Sequence, residues 1–134
     1  MTTDELLAAL AAAAGDNVLL WRGDDPTGRD LDLLVLPERS EAVAAVLAGA
    51  GLRPEAAGHG RTVWTDPEGG LTPVDVLDAS AWAPYHPTLD SVRSRAVAGR
   101  GGLRVAAVED RLLVLAAEAV AGRPVGKIAR KARA

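Results

Sequence analysis

Polar and apolar residues alternate with different periods along the chain, and the changes of period divide it into elements. Thr2 followed by Glu5 has the spacing of a capping box, and Leu6, Leu7 and Leu10 open a helical stripe that runs to Gly15. Residues 17–21 read as a short buried strand. Residues 22–29 hold two glycines, a proline and two aspartates, the composition of a turn, so a hairpin connection is expected there. The next stretch, Asp30-Leu31-Asp32-Leu33-Leu34-Val35-Leu36, is apolar apart from its two carboxylates. It is predicted to be a central strand with Leu31, Leu33 and Val35 towards the core and both acids on the other side.

In residues 38–50, Val43, Val46 and Leu47 recur at helical spacing, and Gly51 stands where a left-handed C-cap residue belongs. A second helix therefore returns the chain to the sheet. Residues 61–65 and 71–77 are predicted strands joined by the turn Asp66-Pro67-Glu68-Gly69-Gly70. Four strands in βαββ or ββαββ order result. Residues 79–88 read as irregular, 89–98 as a short helix and 103–105 as a short extended piece. Residues 107–121 form a strong helical pattern, with Glu109 and Asp110 in the first turn, where the dipole favours anions, and Gly122 and Pro124 closing it. The last ten residues read as a basic helix or a frayed tail.

Composition narrows the picture. A chain of 134 residues is too short for two independent cores, so residues 1–134 are expected to form one domain with a basic tail over 123–134. Phenylalanine is absent, so the core must be built from Leu, Val and Ala. Without cysteine there is no disulfide framework and no thiolate metal site, which fits a reducing, cytoplasmic setting. The start MTTDELLAAL lacks a basic leader region, and no apolar run approaches the roughly 20 residues of a membrane helix, so no membrane association is expected. A net charge of −3 gives no general attraction to nucleic acid. Only Arg123, Lys127, Arg130, Lys131 and Arg133, all beyond the last acid Glu118, form a positive run, and it lacks interleaved aromatic residues.

The candidate chemistry rests on Asp30 and Asp32. Alternate strand residues project to one face about 6 to 7 Å apart, close enough to share or bridge divalent cations. Magnesium prefers hard oxygen ligands and commonly binds one or two carboxylates together with substrate phosphates. Asp75, within Val74-Asp75-Val76-Leu77, is the candidate third carboxylate, because it lies in a strand expected to neighbour the first pair. Asp78, three residues on, falls on the opposite side. Taken alone, an Asp-x-Asp strand is also the pattern of a solvated sheet face. Arg22 and Arg29 fit phosphate contacts or, more simply, surface charges balancing the four nearby acids. His59 and His86 lack the clustering of a zinc site. Trp64 reads as core, Trp21 as packing beneath the hairpin, and Trp82 and Tyr85 as covering an edge or stacking a base.

On these residues the chain resembles a known family. Val18-Leu19-Leu20-Trp21-Arg22-Gly23-Asp24-Asp25 followed by Asp30-Leu31-Asp32-Leu33-Leu34-Val35 resembles the motif of the nucleotidyltransferase superfamily, the DNA polymerase beta-like fold. Leu103-Arg104-Val105 and Val108-Glu109-Asp110-Arg111-Leu112-Leu113 are similar to the segment after the palm in bacterial nucleotidyltransferase-like proteins, so the similarity spans most of the chain. The resemblance implies an α+β fold, a mixed sheet of about four strands with flanking helices and a C-terminal helix. It also implies transfer of a nucleoside monophosphate from a nucleoside triphosphate to an acceptor hydroxyl. Two magnesium ions would be held by Asp30, Asp32 and Asp75, with Asp75 helping to deprotonate the acceptor and Arg22, Gly23 and Arg29 near the phosphates. Active members place a Gly-Ser pair about ten residues before the acids. Here Gly23 is followed by Asp24 and Asp25 and only six residues separate it from Asp30, a shorter loop. The alternative is a catalytically degenerate module of that fold that binds a ligand or partner. In the enzyme reading the acceptor would be a small molecule or another protein, and the small size leaves little room for an acceptor-binding domain, so a partner protein or a second copy is expected to complete the site.

Overall fold

The computed structural model describes residues 1–22, 30–58, 60–78 and 88–120. Helices α1 (Thr3–Ala14), α2 (Ser40–Gly49), α3 (Leu89–Arg95) and α4 (Val108–Val120) flank a mixed sheet. Its strands are β1 (Val18–Arg22), β2 (Leu31–Val35), β3 (Arg53–Gly58), β4 (Arg61–Thr65), β5 (Val74–Asp78), β6 (Val97–Ala98) and β7 (Arg104–Val105), in the spatial order β3-β4-β5-β2-β1-β7-β6. β2 is central, antiparallel to β1 and parallel to β5.

The expectation of about four strands is corrected by this sheet, which holds seven among the described residues and remains α+β only in the broad sense. The three additional strands carry little sequence signal, for physical reasons. All six residues of β3 are exposed, so no polar–apolar alternation marks it, and it contains Pro54, which the sheet tolerates because β3 is an edge. β6 and β7 have two residues each, too few to show a period, so β7 is expected only as a short extended piece over 103–105 and not as a sheet strand. The helix expected over residues 89–98 stops at Arg95, and Val97 and Ala98 pair with β7 instead. Most of the irregular stretch and the whole basic tail lie outside the described residues.

The remaining elements follow the hydrophobic pattern closely. The α1 capping box is formed: the Glu5 backbone N–H donates to Thr2 Oγ1 (3.1 Å) and the Thr2 N–H to Glu5 Oε2 (3.3 Å). Leu6, Leu7 and Leu10 of α1 and Val43 and Leu47 of α2 cover one face of the sheet, packing on Leu20, Leu31, Leu33 and Val35. The opposite face carries Leu19, Trp21 and Leu34 beneath Val92 of α3 and Val114 of α4. The sheet is thus covered on both sides, which accounts for the nearly unbroken apolar run of β2. Trp64 is buried, as its alternation on β4 predicts.

Polar ties fix the outer elements. Asp110, expected simply to complement the helix dipole, is fully buried at the start of α4 and accepts from Nε (3.1 Å) and Nη2 of Arg95 on α3. That pairing raises the Arg95 pKa further above its ordinary value. Arg100 Nε donates to Asp4 Oδ1 (2.9 Å), clamping the β6–β7 turn to α1. The turn comes so close that a Cβ on Gly101, whose φ is +64°, would lie 2.6 Å from Leu7 Cβ. Gly101→Ala therefore combines steric overlap with left-handed backbone strain. It is expected to lower stability by about 1–3 kcal/mol, read as a lower urea midpoint at unchanged m-value.

Candidate metal centre

The three sequence-marked carboxylates meet. β2 and β5 run parallel with Asp32 in register with Asp75 and Leu34 with Leu77, so both acids stand on the face that carries Leu19 and Leu34. Asp30 immediately precedes β2, where the Leu31 N–H donates to Pro73 O (2.9 Å) and ties the start of the strand to the approach of β5. One oxygen from each of Asp30, Asp32 and Asp75 lies within 4.8 Å of the others, with Asp30 exposed and the other two half-buried. The hairpin that delivers Asp75 is set by Asp66. Its carboxylate accepts from the backbone N–H groups of Glu68 (2.9 Å), Gly70 (2.9 Å) and Leu71 (3.0 Å), and Gly69 supplies the positive φ.

Arg22 closes β1, and a β-bulge after Leu20 shifts the register so that its Cα pairs with that of Asp32. Gly23 and Arg29, the other residues marked for phosphate, lie outside the described residues, as do Asp24, Asp25, His59, Trp82, Tyr85 and His86. The position of the Gly23 turn relative to the acids is therefore carried by the sequence alone.

One participant was not marked in the sequence. Arg61 opens β4, pairs with Leu77 of β5 and so stands diagonal to Asp75. Its Nε donates to Asp75 Oδ1 (3.2 Å) and its Nη2 to Oδ2, a bidentate fork. The guanidinium pKa is raised above its ordinary value. The hydrogen bond to Asp75 contributes most, desolvation opposes it, and the charges of Asp75, Asp32 and Asp30 add to it. A sign of this role exists in the sequence only once the register of the β4–β5 hairpin is known, because Arg61 and Asp75 are 14 residues apart.

The donor set is chemically selective. Among the described residues the site offers three carboxylates and no imidazole or thiolate, a donor set that suits magnesium, manganese or calcium rather than zinc or copper. Three negative charges and the one positive charge of Arg61 leave these four side chains with a net charge of −2, which a divalent cation would neutralise. Among the described residues, no helix is long and apolar enough to cross a membrane. Comparisons with family models, with curated proteins and with solved structures found no match to this chain.

Proposed function

We propose that the chain is a magnesium-dependent nucleotidyltransferase acting in the cytoplasm on a nucleoside triphosphate. The observation that supports this reading is the convergence of Asp30, Asp32 and Asp75 on one face of two adjacent parallel strands. Bound magnesium would neutralise triphosphate charge and activate the attacking oxygen. Asp30, Asp32 and Asp75 would hold it, with Asp30 the most exposed of the three. In the transfer, the acceptor hydroxyl oxygen bonds to the α-phosphorus while the bond to the pyrophosphate oxygen breaks. The hydroxyl proton leaves to a carboxylate of the triad or to water. Arg22 and Arg29 supply positive charge for phosphate oxygens. The acceptor is a small molecule or a protein, and a second copy or a partner completes its binding surface.

A second reading, a module that keeps the acids without turnover, is favoured by two observations: Arg61 already engages both oxygens of Asp75, and Asp24 and Asp25 replace the expected serine. Titration calorimetry separates the two. ATP, GTP, CTP and UTP with magnesium are titrated into the wild type and into an Asp30→Asn, Asp32→Asn double variant. Binding that needs both magnesium and the two acids is expected for the transferase. Equal binding in both proteins, or none in either, favours the module.

A further inference from the structure

We propose that Arg61 sets the cation affinity of the triad, acting as an internal counter-ion that a divalent cation must outcompete at Asp75. The inference rests on the metal-centre assignment above and concerns how that site is regulated. Its basis is the geometry of the fork. Arg61 meets both carboxylate oxygens of Asp75, with Nε at 3.2 Å from Oδ1, so the anion is fully engaged by a side chain from the neighbouring strand. Burial is unequal across the pair: the Asp75 side chain is 13% exposed and that of Arg61 44%. The acid is anchored in the sheet and the guanidinium lies on the solvent side. Arg61 can therefore turn out into water without leaving a buried charge of its own, while Asp75 stays in place beside Asp30 and Asp32.

The charges set the direction of the effect. The field of all three carboxylates favours the Arg61 cation, so the guanidinium and a bound metal compete for the same negative potential. A monovalent cation about 6 Å from a divalent one in a water-like dielectric weakens binding of the latter by roughly a factor of ten. Removing the charge of Arg61 should therefore tighten cation binding. A residue that merely oriented Asp75 would have the opposite effect, since its loss would loosen a ligand.

The test uses Mn²⁺ alone with the full chain. Bound manganese is followed through loss of the free-ion spin-resonance signal in the wild type, Arg61→Gln and Arg61→Lys, and the Arg61 side-chain Nε resonance is followed in the wild type during a Mg²⁺ titration. Arg61→Gln is expected to bind Mn²⁺ about tenfold more tightly than the wild type. Arg61→Lys, which keeps the charge, is expected to stay close to wild type. The wild-type Nε resonance should move and saturate with the cation. If the wild type binds Mn²⁺ but Arg61→Gln binds equally or more weakly, Arg61 does not act as a competing counter-ion, and the metal centre itself stands. A wild-type Nε resonance unmoved at saturating Mg²⁺ overturns the inference even if the glutamine variant does not fold. Absence of Mn²⁺ binding in every protein overturns both the inference and the metal centre.

Discussion

Leu20→Ala is expected to destabilise the domain by about 2–5 kcal/mol, a large share of the roughly 5–15 kcal/mol that holds a domain of this size folded. Leu20 is fully buried near the middle of β1, paired with Leu33 of β2 on one side and Val105 of β7 on the other, and packs in the cluster beneath α1 and α2. Truncation loses the transfer free energy of the removed methyl and methylene groups. It also leaves a cavity that strands pinned on both edges cannot close. The melting temperature should fall by about 10 °C or more. Leu112, half exposed on α4, is the matched control: its truncation is expected to change stability by no more than about 0.5 kcal/mol. Similar losses for both variants in thermal denaturation would contradict the placement of the core.

On the proposed transferase reading, Asp32→Asn is expected to lower magnesium-dependent nucleotide transfer by at least roughly 10²–10³-fold while leaving the fold intact. The substitution is nearly isosteric and removes one of three charges that converge within 4.8 Å. Loss of a single electrostatic stabiliser of transition-state charge typically costs roughly 10²–10³-fold in rate. A residue holding the cation should cost at least that much. Asp30→Asn, at an exposed position, should lose binding with a stability change within about 0.5 kcal/mol. Asp75→Asn differs, because Arg61 loses its ionic partner as well. Parallel assays of magnesium-dependent nucleotide binding and thermal stability on the three variants distinguish ligands from structural acids. An Asp32→Asn protein that still binds nucleotide with wild-type magnesium dependence would remove Asp32 from the site.

The site was legible in the sequence wherever periodicity and burial coincide. Leu31, Leu33 and Val35 mark the core side of β2, and this places Asp32 on the opposite face. Asp75 was expected on a strand neighbouring the Asp30–Asp32 pair, and the parallel pairing of β5 with β2 sets it in register with Asp32. The α1 cap was legible because it is a local pairing of Thr2 with Glu5. Long-range and short elements were not. β3 is wholly exposed and so has no apolar face to display, and β6 exists only through its pairing with β7, which the sequence marked as a short extended piece without showing its partners. Arg61 was missed for a different reason: its partner Asp75 is 14 residues away and comes within reach only through the register of the β4–β5 hairpin. Asp110 shows the converse. Its place in the first turn of α4 suggested a dipole effect, whereas the fold buries it against Arg95.

The most direct test of the metal centre is a crystal of the wild-type chain grown with Mn²⁺ and a non-hydrolysable nucleoside triphosphate, examined at a wavelength where manganese scatters anomalously. An anomalous peak is expected within coordination distance of Asp30 and Asp32, with the triphosphate completing the shell. A bound nucleotide with no peak at these acids, or a peak at another group of residues, would contradict the metal centre.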